Sequence, residues 1–269
     1  MKDEFLINKI KTGLEKSGFI HEIKNIELLF DKQWTVFSNS KYFDFETNKL
    51  REFDIKASKE INNFNIHLFI ECKKSINKQM VLYSPRNINT IYRKLFAHNF
   101  KYFPNTEIDE LVTPQKNIFN ELDFFNDNIP ISKNLIICSG ENSNGNKEYI
   151  DSIDSLIKSS FSINELEYLD FHRTIIFYIF LWNGQLYNLS YSNDSDYSLN
   201  ETEYGLYEYQ TNFHIDKDTN NYYCNTYKKL KHTYTIEIIK DEYFSKYLEN
   251  IEKTISSINL QKCGLKKML

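Results

Sequence analysis

A three-layer α/β/α sandwich around a central mixed β-sheet is the fold this sequence predicts, and three observations lead there. The chain has 269 residues, 41% of them hydrophobic and 26% charged, a globular composition with enough apolar material for a substantial core. Seven Gly and four Pro are few, which argues against disordered linkers. Apolar periodicity runs helix, three strands, helix, strand, helix, hairpin, strand, helix. That alternation begins only after the first three strands, so it predicts a strand meander leading into a sheet with helices on both faces.

Residues 3–17 read as a helix, with Phe5, Leu6, Ile10 and Leu14 at helical spacing and Gly18 as a stop. The run "HEIKNIELLF" (21–30) fits helix or strand. "WTVFS" (34–38) reads as a short strand and "KYFDFETNKL" as a turn. "LREFDIKA" and "FNIHLFIECK" read as strands parted by a turn at "NNFN" (62–65), and "MVLYSP" as a further short extended run. Helical spacing returns in "NINTIYRKLFAHNF", followed by an irregular connection over 100–130. "NLIICSG" (134–140) reads as a buried strand, "GENSNG" (140–145) as a polar loop and "NKEYIDSIDSLIKSSF" as an amphipathic helix. "RTIIFYIFLWNGQLYNLSY" predicts a hairpin, because Asn-Gly is a strong two-residue turn signal. A loop is expected to about residue 215. "HTYTIEII" then gives a strand, and "DEYFSKYLENIEKTISSI" a closing helix capped by Asp241. One domain spans 1–269 on this reading, with a core over about 1–190 and a strand-helix extension over about 191–269.

The net charge of −4 makes this no polycation, so nucleic-acid contact would rest on a local basic patch. From Thr174 to Asp216 no Lys or Arg occurs, a stretch that reads as a solvated acidic face. Cys72, Cys138, Cys224 and Cys263 are far apart and form no CxxC, so neither a zinc knuckle nor a disulfide framework is expected. The six histidines form no HxH or HExxH pair, and no glycine-rich phosphate loop or GxSxG is present. The N-terminus lacks a signal-peptide apolar core, and the longest apolar run, "TIIFYIFLW", is too short for a membrane helix; the expected location is cytoplasmic.

The chemistry concentrates in "REFDIKASKEINNFNIHLFIECKKS" (51–75). Side chains alternate along a strand, so Glu52, Asp54 and Lys56 share one face, and His67, Phe69, Glu71 and Lys73 share one face of the next strand. A hairpin would place Asp54 and Glu71 on adjacent strands. Two such carboxylates can share a hard divalent cation such as Mg²⁺, with Lys73 on the same side to orient or activate a water. Acids and lysines alternating along a half-exposed strand are also ordinary solvent-face patterning. Against that reading stand the depletion of Asp in strands and the apolar run that precedes Glu71.

Asp54 followed 17 positions later by Glu-x-Lys ("ECK", 71–73) resembles the PD-(D/E)XK nuclease superfamily, the restriction-endonuclease-like fold. The likeness is closest to uncharacterised prokaryotic members in which a helix ending in Gly-aromatic precedes runs like "REIDI" and "ECKKS"; here these are "LEKSGF", "REFDI" and "ECKKS". The resemblance implies metal-dependent cleavage of nucleic acid, DNA ahead of RNA, with Mg²⁺ or Mn²⁺ on Asp54 and Glu71 and Lys73 as the catalytic lysine. It also implies a homodimer where paired cuts are made, or a place in a defence system with a partner protein. A catalytically inactive binding or assembly module of the same fold is the alternative. Phe53 stands where many members carry Pro. Several members add a Glu from the first helix, for which Glu4 and Glu15 are candidates, and Glu52 is a candidate extension of the metal site.

Overall fold

The computed structural model describes residues 2–44, 47–84, 131–140, 142–144, 146–161, 174–191, 196–211 and 232–258. Among the described residues four helices, α1 (Lys2–Ser17), α2 (Phe19–Asp31), α3 (Lys147–Phe161) and α4 (Phe244–Ser256), accompany a mixed sheet. The ambiguous run at 21–30 is helical. Its apolar residues at 3.6-residue spacing bury Leu29 against the sheet. Gly18, at φ 83°, is the break between α1 and α2, a left-handed conformation that glycine adopts without a Cβ clash. The apolar residues that marked α1 stay exposed, from 64% at Phe5 to 37% at Leu14. The helical segment expected near 88–99 and the connection over 100–130 lie outside the described residues.

The main sheet has the order β1 (Thr35–Asp44), β2 (Lys49–Ile61), β3 (Phe64–Tyr83), β7 (Thr174–Tyr191), β10 (His232–Lys240), β9 (Tyr204–Thr211), β4 (Ile131–Ser132). The neighbours β1–β2, β2–β3 and β10–β9 are antiparallel, while β3–β7, β7–β10 and β4–β9 are parallel. The second half of β3 also pairs with β5 (Asn134–Ser139), which pairs with β6 (Asn142–Asn144) inside the expected "GENSNG" loop. The second half of β7 carries β8 (Tyr197–Glu201). The sheet therefore forks along its two long central strands. β10 inserts between β7 and β9, so the C-terminal part of the chain belongs to the same sheet as the core.

Strand parity sorts the apolar residues into two layers. Ile66, Leu68, Ile70 and Cys72 of β3 pack with Leu29 of α2 and with Phe244, Leu248 and Ile251 of α4. Phe69, Ile176, Tyr178 and Phe180 pack with Tyr149, Ile153 and Leu156 of α3 on the opposite face. Helices thus cover both faces of the sheet. Cys72 and Cys138 are free thiols.

Two sequence expectations are corrected here. Residues 174–191 form one continuous strand and no hairpin, because both halves of β7 run parallel to β3, Asn65↔Thr174 to Lys74↔Asn183 and then Gln79↔Gln185 to Tyr83↔Leu189. Asn183 and Gly184 lack the positive φ of a type I′ turn. Gly184 serves a close approach instead: four residues of β3, Ser75–Lys78, face it across the pair, and a Cβ there would stand 2.8 Å from both Ser75 Cβ and Trp182 Nε1. The excursion is closed on itself, Ser75 Oγ donating to the Lys78 carbonyl at 2.9 Å and accepting the Lys78 N–H at 3.1 Å. The second correction is the loop expected to residue 215, which contains β8 and β9. Tyr204 and Leu206 pack into one core layer and Tyr207 into the other, so both faces of β9 are covered and its sequence lacks a simple apolar-polar alternation.

A true type I′ turn lies at Asn62–Asn63, with φ of 52° and 62° between the paired Ile61 and Phe64. Asn62 Nδ2 also donates to the carbonyls of Ile255 at 3.1 Å and Ile258 at 2.9 Å. The hairpin is thereby tied to the end of α4, at the Ile255 carbonyl, which also accepts the Ile258 N–H at 3.2 Å, and at the Ile258 carbonyl just past the helix. Asn62→Ala should cost about 1–2 kcal/mol, from the lost bonds and the left-handed backbone, read as a lower midpoint in urea unfolding with an unchanged slope.

Candidate active site

β2 and β3 pair from Ile61↔Phe64 to Ile55↔Ile70 and then part. The next residues in register are Asp54 and Glu71. Where the ladder stops, the Asp54 side chain replaces it: Oδ2 accepts the Cys72 N–H at 2.7 Å. Glu71, with a side chain 9% exposed, accepts from Lys73 Nζ at 3.0 Å, and the Ser152 hydroxyl of α3, which donates to the Glu148 carbonyl at 3.1 Å, is near enough to influence its carboxyl. Bonds within β2 and β3 thus set the positions of Asp54, Glu71 and Lys73, and the Ser75–Lys78 excursion begins two residues after the lysine. Bulged strands of this kind commonly re-aim side chains beside a site.

The electrostatics are those of crowded negative charge. Burial and then the Asp54 charge push the Glu71 carboxyl up to about 7, against the attraction of Lys73. Burial raises Asp54 as well, opposed by the Cys72 N–H, Lys73 and His21. Burial works to lower Lys73, but the Glu71 charge and hydrogen bond, with Asp54 and Glu148, outweigh it and hold the ammonium above its ordinary pKa.

Glu22 on the first turn of α2 is the residue sequence reasoning missed. Its carboxyl is raised by burial and then by the Asp54 charge, so Glu22 is a helix acid close enough to feel Asp54. Glu4 and Glu15 lie exposed on α1, and only the Glu15 backbone carbonyl approaches the site strand, accepting from Lys74 Nζ. Glu52 is also displaced: its side chain is 65% exposed and 3.9 Å from Lys41 on the neighbouring strand. The signal for Glu22 was present, since it stands three residues after the Gly-aromatic helix break, but reading 21–30 as helix or strand left it without a face. Asp241 is likewise no helix cap; it lies in a 3-10 turn and its carboxylate accepts from His21 Nε2 and Asn25 Nδ2, both at 2.8 Å, and from Asn183 Nδ2 at 3.4 Å. Burial works to raise Asp241, but these bonds hold its carboxyl below the ordinary value.

Among the described residues no three His, Cys, Asp or Glu side chains form a ready metal cage. What the site offers is two carboxylates on facing strands, each destabilised as an anion by burial. That donor set fits Mg²⁺, which is commonly held by one or two carboxylates and keeps its waters. It does not resemble a zinc centre of three or four nitrogen and sulfur ligands. No described helix is long and apolar enough to cross a membrane.

No family model matches the chain, and neither a curated protein nor a solved structure is similar to it.

Proposed function

We propose that the protein is a Mg²⁺- or Mn²⁺-dependent nuclease that hydrolyses phosphodiester bonds, with DNA ahead of RNA as substrate, on a restriction-endonuclease-like fold. The observation that carries this reading is the convergence of Asp54 and Glu71 where β2 leaves β3, with Lys73 Nζ 3.0 Å from Glu71. Two carboxylates raised by burial beside a single ammonium are short of positive charge, and a hard cation relieves that imbalance. The D…ExK resemblance supports the same assignment residue by residue.

Asp54 and Glu71 would hold the metal. When bound, it would lower the pKa of a water and neutralise charge on a phosphoryl oxygen. The chain supplies the rest. The Cys72 N–H fixes the Asp54 carboxylate by one oxygen and leaves the other free. Lys73 fixes Glu71 at 3.0 Å. Lys73 keeps its proton in this environment, so it acts as a donor that orients water or phosphate and lends positive charge as negative charge develops on the phosphate.

Asp54→Ala, Glu71→Ala and Lys73→Ala should each abolish cleavage of plasmid or oligonucleotide DNA in Mg²⁺ while the protein stays folded by circular dichroism. Cleavage surviving in all three variants would sink the assignment. A second reading, an inactive binding or assembly module, draws on β8, whose five residues are all exposed along the side of β7 in the cation-free region. Calorimetry with Mn²⁺ separates the two: a folded protein that binds no metal favours the module.

A further inference from the structure

Past the acid pair the sheet has a gap. β2 pairs with β3 as far as Ile55↔Ile70, and β5 pairs with it only from Gln79↔Cys138. β7 lies along the other edge of β3 through both stretches, so β2 and β5 share one edge. Between them, from Glu71 to Lys78, that edge pairs with no strand among the described residues. The gap is about 20 Å long, the span of β7 from Ile179 to Gln185 that runs beside it. Asp54, Glu71 and Lys73 stand at one end. The excursion draws the other end closer. Lys73 is level with Trp182 and Gln79 with Gln185, so the chain from Lys73 to Gln79 advances only about 10 Å.

Two lysines border this gap, and each is held by a neutral group. Lys78 Nζ donates to Tyr149 Oη at 3.0 Å and lies 5.3 Å from the centre of that ring. Tyr149 stands on α3, edge-on to Trp182 with ring centres 5.5 Å apart, and Trp182 is the neighbour of Lys73. Lys74 Nζ donates to the Glu15 carbonyl on the other layer, and its Cβ lies 3.9 Å from where a Cβ on Gly18 would stand. Lys74 is exposed and Lys78 partly so. Neither makes an ion pair among the described residues, although Glu148 is near enough to act on Lys78. Lys32, Lys59 and Lys240, by contrast, each meet a glutamate within 3.0 Å. A phenol or a carbonyl orders an ammonium without cancelling its charge. Such a cation is ready for an anion from solution, with part of its ordering cost already met.

We propose that Lys74 and Lys78 bind backbone phosphates of DNA lying in the gap between β2 and β5, one from each face of the sheet, beside the phosphate presented to Asp54 and Glu71. This deepens the nuclease reading and rests on it. It also gives the net-negative chain the local basic patch that contact with nucleic acid requires. The excursion then has a use, since it carries Lys78 back to the site.

The test is binding of a fluorescent DNA oligonucleotide, single-stranded and as a duplex, to the metal-free protein over a range of salt concentrations. Lys74→Gln and Lys78→Gln should each weaken binding and make the slope of log K against log salt shallower by about 0.7–0.9, and the double variant by about twice that. Lys78→Arg keeps the charge and should keep the wild-type slope. Lys253→Gln is the control for net charge. Lys253 is exposed near the end of α4 that Asn62 holds, at the turn end of the β2–β3 hairpin, and its loss should leave the slope unchanged. A wild-type slope in the double variant, an equal change in K253Q, or failure of the wild type to bind either probe overturns the proposal. Cleavage in Mg²⁺ alongside unchanged slopes removes the lysine contacts and leaves the nuclease reading. The expected slopes with no cleavage by wild type in Mg²⁺ or Mn²⁺ remove the nuclease reading and leave the contacts.

Discussion

Glu71→Gln should reduce Mg²⁺-dependent cleavage by about 10³-fold or more and at the same time flatten the dependence of stability on pH. Both follow from one carboxyl. Glu71 has an ordinary pKa of 4.5 and is pushed up to about 7 in the folded protein, chiefly by burial and next by Asp54. Between those values the folded state binds more protons than the unfolded state, so unfolding free energy falls as pH rises. The stability contributed by protonated Glu71 is complete below pH 4.5 and is lost as pH passes through about 7, a decline on the order of 2–3 kcal/mol. Asp54 and Glu22 shift in the same direction and reinforce it. Urea unfolding of metal-free wild type should give a lower free energy at pH 8 than at pH 5 over this window, and E71Q a smaller difference. Added Mg²⁺ should recover stability at pH 8 and little at pH 5, because it binds the ionised acids. A wild-type curve that rises from pH 5 to pH 8 without metal would show that Glu71 is ionised at no cost.

Gly184→Ala should destabilise the protein by about 2–3 kcal/mol, well above the usual cost of filling a strand glycine. The added Cβ would meet Ser75 Cβ and Trp182 Nε1, each at 2.8 Å. Neither can retreat easily. The Ser75 atom sits at the root of its side chain, and Trp182 is fully buried with Nε1 donating to the Gln185 carbonyl at 3.0 Å. Relief requires the Ser75–Lys78 excursion to move, and that excursion begins two residues after Lys73. G184A should therefore also lower kcat of the folded fraction several-fold, checked by activity corrected for the folded population. A variant of wild-type stability would mean that β3 shifts there freely.

The strands of the site were legible in the sequence, and the reason is local. Period-2 alternation in "REFDIKA" and "HLFIECK" placed Asp54, Glu71 and Lys73 on one side, and the observed register puts Asp54 and Glu71 at the first position past the last pair. Short-range signals failed where a distant partner decided the outcome. Asn183-Gly184 carries the composition of a hairpin turn, but β3 lies alongside both halves of β7 and requires the small residue for contact. Asp241 stands where a helix cap belongs, yet His21 and Asn25 claim its carboxylate from more than 200 positions away. Glu22 was hidden for a related reason: its helix is defined by packing onto the sheet through Leu29. The sandwich with helices on both faces was readable from the order of elements, whereas the fork of the sheet depends on how far β3 and β7 extend together.

The brace at Asp241 also has a temporal consequence. Ribosomes deliver the chain from its N-terminus, so Glu22, Asp54, Glu71 and Lys73 emerge long before the residue that holds His21. A nascent chain paused before residue 241 carries the acids and the lysine, but its imidazole is unanchored. The strand that leads into Asp241 fills the slot between β7 and β9, so closing the sheet and setting the imidazole are one event. Synthesis itself then sets the order of assembly, the Asp241 contact with His21 forming only once the last described strand of the sheet has docked.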